Sequence, residues 1–197
     1  MNQKSNLRIV LFIIGLIICV QTNGQTYLGA GYAGGIVQTP ISSVDQAEGI
    51  SISVIHEIQL GEGRWRFDPQ LNAAFLFSQI NREVSPFYTT RVSLSPNVAF
   101  QIIKQERFNF APFTGLFASW GLTNGSFSYF DFSTLQTKNE SINESSFNYG
   151  FEFGIAMNIK VKDKLTIKLV PLDFQAALNE ENKGNFVKFT SSILFRI

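Results

Sequence analysis

From Phe147 to Lys160 the chain alternates without a fault. Phe147, Tyr149, Phe151, Phe153, Ile155, Met157 and Ile159 fall on one face, and Asn148, Gly150, Glu152, Gly154, Ala156, Asn158 and Lys160 on the other. Successive strand side chains point oppositely, so a period of two is strand periodicity. Soluble strands commonly run to about 5 or 6 residues, and a tilted strand needs about 9 to 11 to cross a bilayer. A run of this length with one wholly apolar face therefore constrains the fold to long, two-faced strands.

The pattern recurs. Tyr27 to Val37, Ile50 to Leu60, Arg64 to Gln79, Phe87 to Ile103, Phe108 to Thr123, Leu165 to Leu178 and Phe186 to Ile197 all alternate, which gives eight candidate strands. In Leu165 to Leu178 the phase slips at Val170-Pro171, which predicts a β-bulge. Short connections at Gly61 to Gly63, Lys104 to Arg107 and Val161 to Lys164 take turns with longer ones at Gln38 to Glu48, Asn81 to Pro86, Asn124 to Ser146 and Asn179 to Asn185. Outer-membrane barrels have an even strand number, short periplasmic turns and longer outer loops. The expected fold is all-β, an eight-stranded antiparallel up-and-down transmembrane β-barrel with both termini on the short-turn side.

A soluble sandwich or lipocalin-like barrel shares this periodicity with its apolar face turned inward. Three features favour the lipid-facing orientation. The strands are long; Gly29, Gly31, Gly35, Gly115, Gly121, Gly150 and Gly154 lie on the polar faces, where a narrow lumen needs small residues; and aromatics collect towards the strand ends. Trp65, Phe67, Phe108 and Phe110 mark the short-turn rim, and Phe77, Tyr88, Trp120 and Tyr149 the long-loop rim. Charged residues make up only 16% of the chain and Phe numbers 20, whereas soluble proteins carry about 25% charge. Pro69, Pro96 and Pro112 fall within strands, where each removes a ladder donor, and local bulges are expected there.

Lys4 and Arg8 precede the apolar run Ile9 to Val20, which is followed by Thr22-Asn23-Gly24, the layout of a cleaved secretory signal over residues 1–24 with the barrel over 25–197. The one cysteine, Cys19, lies inside that segment, and the bulky Ile18 before it argues against lipid attachment. A mature chain without thiols has no disulfide, thiolate metal site or cysteine nucleophile. A formal net charge of +1 argues against a nucleic-acid partner.

The inward set holds Glu57, Arg66, Asp68, Arg91, Glu152, Lys160, Lys168, Asp173, Lys188 and Arg196. Charges of both signs in so narrow a space must pair, which predicts a polar network that plugs the lumen. The alternative is a gated narrow channel for small solutes or protons. His56, the only histidine, lies on the outward face near the short turn and lacks a convincing serine and acid partner, so a lipid-modifying enzyme is the weaker reading. No catalytic, cofactor or metal site is expected. Outside, Ser126 to Phe132 carries Phe127, Tyr129, Phe130 and Phe132 as candidate partner contacts, either on a sheet projecting above the rim or in a loop over the barrel mouth. Asn139-Glu-Ser and Asn143-Glu-Ser match glycosylation sequons, expected to be incidental.

Tyr-Leu-Gly-Ala-Gly-Tyr at the start, the eight-strand alternation and Ser-Ile-Leu-Phe-Arg-Ile at the end resemble the small outer-membrane β-barrels of Gram-negative bacteria, the OmpA/OmpX-like group and the related outer-membrane β-barrel domain proteins of Bacteroidetes. The resemblance covers Thr26 to Ile197. It implies a bacterial outer-membrane monomer in contact with lipid, inserted by the barrel-assembly machinery, with an extracellular protein or surface glycan as the external partner and no cofactor. Such barrels usually end in an aromatic residue; here Phe195 is followed by Arg196 and Ile197.

Overall fold

The computed structural model describes residues 24–37, 45–78, 87–178 and 186–197. The expected signal segment, apart from Gly24, lies outside the described residues, as do Cys19 and parts of the connections at 38–44, 79–86 and 179–185.

The strands in chain order are β1 (Gln25–Val37), β2 (Asp45–Gln59), β3 (Trp65–Ser78), β4 (Phe87–Phe100), β5 (Ile103–Lys104), β6 (Phe108–Asp131), β7 (Gln136–Lys162), β8 (Leu165–Ala177) and β9 (Phe186–Arg196). Each pairs antiparallel with its sequence neighbour, except that β4 skips the short β5 and pairs with β6, and β9 returns to β1. The short β5 continues the line of β4, so the sheet closes as a ring of eight. Closure leaves no unpaired edge around the wall.

Two of the three strand prolines correct the bulge expectation. Pro69 and Pro96 sit directly opposite each other in a β3–β4 register that runs unshifted from Trp65↔Phe100 to Ser78↔Phe87. The lost donors fall on the far sides instead. The β2–β3 ladder is interrupted between Ile55↔Gln70 and Ile58↔Phe67, and β4–β6 between Leu94↔Ala118 and Asn97↔Gly115, both without a change of register. Proline in a strand removes a hydrogen bond on one side only, and pairing two prolines face to face keeps the ladder between them intact. Beside Pro112 a bulge is present. The four steps from Ala99 to Ile103 face only the three from Phe113 to Phe110, which splits β4 from β5. The bulge expected at Val170-Pro171 is also present, as register shifts of β8 against both neighbours.

Asn124 to Ser146, expected as the longest connection with either a projecting sheet or a loop over the mouth at Ser126 to Phe132, takes the projecting form. The β6–β7 ladder runs unbroken from Phe108↔Ile159 to Asp131↔Gln136 and closes in a tight turn at residues 132–135, where Leu135 takes a left-handed φ of 55°. β4 stops pairing at Tyr88↔Asn124 and β8 at Gly150↔Ala177, so the upper part of this hairpin stands beyond its neighbours. The seven residues Gly125 to Asp131 rise about 24 Å at ~3.4 Å each.

The wall sorts its side chains by parity. Leu28, Tyr32, Ile50, Ile52, Phe75, Phe77, Tyr88, Leu116, Trp120, Phe151, Phe153, Ile193 and Phe195 are exposed on the outside. Ser51, Ser53, Arg66, Asp68, Ser93, Ser95, Asn97, Ser119, Glu152, Asp173 and Gln175 are buried within. Such an arrangement inverts the soluble rule of apolar inside and polar outside. Aromatic neighbours gather at both ends of the wall, Trp65 against Phe100 at the short-turn end and Tyr32 against Phe189 at the other.

Candidate functional site: the lumen and the projecting hairpin

The inward charges form two layers, each with two cations and two anions. Towards the short turns, Arg66 of β3 reaches Glu57 of β2 at 3.1 Å through Nη1 and Asp68 of its own strand at 2.6 Å through Nε. Lys168 of β8, also buried, lies in the field of Asp68 and Glu57. These residues meet because β2 and β3 are joined by the tight Leu60 to Arg64 turn, which puts Gln59 opposite Arg66.

The second layer is centred on Glu152, which is fully buried. Its Oε1 accepts from Lys188 Nζ and Gln175 Nε2, each at 2.9 Å, and its Oε2 from Asn97 Nδ2 at 3.3 Å. Lys188 also pairs with Asp173 at 2.8 Å. Arg91 donates to Gln175 Oε1 at 2.8 Å and Ser119 Oγ at 2.9 Å, and its guanidinium lies 4.6 Å from the Phe186 ring centroid. Five strands converge on this carboxylate and its partners. Gly115, which pairs with both Asn97 and Glu152, makes the convergence possible, since a Cβ there would collide with Asn97 Oδ1 and the Pro96 carbonyl.

Apolar groups close both ends. Phe87, Phe117, Phe186, Leu76, Ala33 and Ala74 are buried on the long-loop side, and Ile55, Leu194, Ala99, Ala111 and Ala156 on the short-turn side. The fully buried Phe87 ring lies where a Cβ on Gly125 would stand, so the neck of the hairpin makes room for it. Between the two charge layers a cavity of about 40 Å³ touches Asp68, Lys168, Asp173 and Lys188. That is space for roughly one or two waters.

The structure brings Glu57, Arg66, Asp68 and Lys168 into one layer and Arg91, Glu152, Asp173 and Lys188 into the other. Lys160 and Arg196, also expected in the lumen network, stand at the short-turn rim. Lys160 bonds Asp163 in the adjoining turn at 3.2 Å with its side chain 39% exposed, and Arg196 stands at the same rim in the field of Tyr27. Both lie close to the short-turn ends of their strands. The uncharged members Asn97, Gln175 and Ser119 carry no charge signal in the sequence, but their parity places them inside. Parity likewise marks Phe117, which shares the phase of Gly115 and Ser119.

His56 Nδ1 lies 2.8 Å from Thr26 Oγ1, directly across the β1–β2 ladder. Among the described residues no group of three His, Cys, Asp or Glu is arranged to hold a metal ion.

On the hairpin, Ser128 Oγ donates to Asn139 Oδ1 at 2.6 Å, and Lys138 pairs with Asp131 across the last rungs. Asp131 also accepts from the Ser133 amide and hydroxyl, which together with Lys138 holds its carboxyl below the usual range. Phe130 and Phe132 are exposed and meet edge to face at 5.2 Å. Phe127 and Tyr129 pair through the backbone with Glu140 and Lys138, and their side chains lie outside the described set.

No family model and no curated protein matches the sequence. Solved structures do match in fold. Ail, the attachment invasion locus protein of Yersinia pestis, aligns at TM-score 0.52 and 11% identity over 89% of this chain and 100% of its own. Neisserial surface protein A aligns at 0.51 and 8% over 87% and 97%. A major outer membrane protein from Thermus thermophilus aligns at 0.55 and 11% over 89% and 100%. At these identities the likeness speaks for architecture alone, and on that architecture the chain has the fold of the small outer-membrane β-barrels of the OmpA/OmpX type.

Proposed function

We propose that this chain is an integral barrel of a bacterial outer membrane, closed to solutes along its axis and acting outward through the β6–β7 hairpin. The observation that carries this reading is the inversion of the wall. A ring of exposed Leu, Ile, Phe, Tyr and Trp surrounds buried, mutually paired charges. In water that outer surface would be an aggregation liability, whereas in a bilayer it is the solvated one. Two balanced charge layers with apolar groups at either end support a plug rather than a path.

The hairpin is the element available to an external protein or surface glycan. Above β4 and β8 its outer edges have no strand partner among the described residues, and exposed edges pair with added strands. Phe130, Phe132 and Leu135 at its tip add apolar contact area.

Heat-modifiable gel migration of the membrane fraction tests the reading. A folded barrel migrates differently before and after boiling. Identical migration, together with recovery in the soluble fraction, would overturn it.

A further inference from the structure

The formal net charge of +1 conceals two unlike ends. Each charge layer of the lumen is balanced, so the imbalance lies at the rims. At the short-turn rim the β2–β3 turn brings Arg64, the β5–β6 connection Lys104 and Arg107, the β7–β8 turn Lys160, Lys162 and Lys164, and the end of β9 Arg196. Against these seven cations stand Glu62, Glu106 and Asp163, which leaves a side-chain charge of +4. At the long-loop end and on the hairpin the sign reverses, with Asp45, Glu48, Asp131, Glu140 and Glu144 against Lys138 among the described residues.

The rim cations follow one another around the ring. Arg64 Nη1 donates to the Ile102 carbonyl at 3.3 Å and Lys104 Nζ to the Gly63 carbonyl at 3.5 Å, which ties the β2–β3 turn to the segment carrying β5. The Arg107 carbonyl accepts from the Lys160 amide at 2.9 Å, and the Lys164 carbonyl from the Arg196 amide at 2.9 Å. The arc therefore runs from the β2–β3 turn through the next two short connections to the end of β9. Asp163 pairs with Lys160 at 3.2 Å, while Arg107, Lys162 and Lys164 are exposed.

Short connections hold this arc at the level of the lower aromatics. Arg64 adjoins Trp65, which packs on Phe100, and Arg107 adjoins Phe108. At such a height a long basic side chain lays its stem along the apolar wall and carries its charge to head-group phosphates, and each one near an anionic surface adds to the attraction. A polymer farther from the membrane would need longer arms than these turns supply. We infer that the short-turn rim binds the phosphates of anionic phospholipids in the periplasmic leaflet, with Arg107, Lys162 and Lys164 as its main contacts, resting on the outer-membrane reading above, which gives this rim its leaflet.

Electron spin resonance tests it, on the full chain folded into phosphatidylcholine vesicles with trace spin-labelled phosphatidylglycerol or phosphatidylcholine. At roughly 10 mM salt the wild type is expected to select phosphatidylglycerol about fivefold, and at roughly 1 M salt, where exposed charges are screened, to select neither lipid. The triple change Arg107→Gln, Lys162→Gln and Lys164→Gln should bring the low-salt ratio below about twofold, whereas Lys138→Gln at the opposite end should leave it unchanged. Heat-modifiable migration of both variants shows that they fold. Equal association of the two lipids with the inserted wild type, selectivity that survives the triple change, or selectivity lost in Lys138→Gln would each overturn the assignment. Retention on purified peptidoglycan that outcompetes phosphatidylglycerol vesicles and depends on the same three residues would give the arc to the cell wall and overturn it as well. A wild-type chain that does not enter vesicles at all would instead strike the outer-membrane reading itself.

Discussion

β7 is one strand in two environments. Its lower half, from Phe147 to Ile159, lies between β6 and β8 with lipid-type side chains outside and Glu152 sealed within. Its upper half, from Gln136 to Ser146, keeps β6 as its only strand partner among the described residues and is exposed along nearly its whole length. The same ladder holds both halves, so hydrogen bonding does not distinguish them. The difference lies in the side chains, which below must serve two unlike media and above serve only water. The lower half should therefore tolerate almost no change of charge or volume, and the upper half nearly any.

Four changes would break or sharpen that contrast. Glu152→Ala should have the largest effect. It takes from Lys188 one of its two carboxylate partners and from Gln175 and Asn97 their acceptor, and removing one partner of a buried ion pair costs about 3–5 kcal/mol, so the urea midpoint for unfolding from detergent or vesicles should fall steeply. An unchanged midpoint would show that the upper layer is not structural. Gly115→Val should follow at about 1–3 kcal/mol by overpacking, because it drives a methyl into Asn97 and the Pro96 carbonyl. The same denaturation measurement reads it, and a Gly115→Val, Asn97→Ala double variant should recover part of the loss.

Replacing 126–144 by a short turn should change barrel stability by no more than about 0.5 kcal/mol, the scale of surface changes, while removing any binding of external partners. A large loss of heat-modifiable form on trimming would contradict the division of β7 into two independent halves. The smallest effect concerns pH at the hairpin tip. Lys138 and Ser133 depress the Asp131 carboxyl, so its contribution is complete above the unfolded value near 4 and is lost only as pH falls through the lower folded value. Amide exchange at Ser133 should stay protected between pH 7 and 4 and rise below that, and Asp131→Asn should remove this pH dependence. Protection lost already at pH 5 would refute the depression.

Legibility in the sequence followed the same divide. The lower half of β7, like the walls of β3, β4 and β6, announced itself because alternating environments write alternating residues. Gln136 to Ser146 reads as a loop, since a strand wetted on both faces has no reason to alternate. The bulge at Val170-Pro171 was visible as a phase slip, whereas the face-to-face placement of Pro69 and Pro96 depends on β3–β4 register, which no single strand encodes. Parity assigned the lumen charges to the inside but could not say that they divide into two layers, nor that Lys160 turns to Asp163. Those outcomes depend on which strands lie across the lumen. Glu48 reads from the sequence as the end of a connection, and the β1–β2 ladder, which runs on to Val37↔Asp45, corrects this by placing it within β2.

Planar-bilayer recording of the folded, heat-modifiable protein tests the central claim most directly. A lumen closed by two paired charge layers and apolar ends predicts a flat current at neutral pH while the barrel remains inserted. Steady, stepwise single-channel conductance from the wild-type chain would contradict the plug and favour a narrow channel.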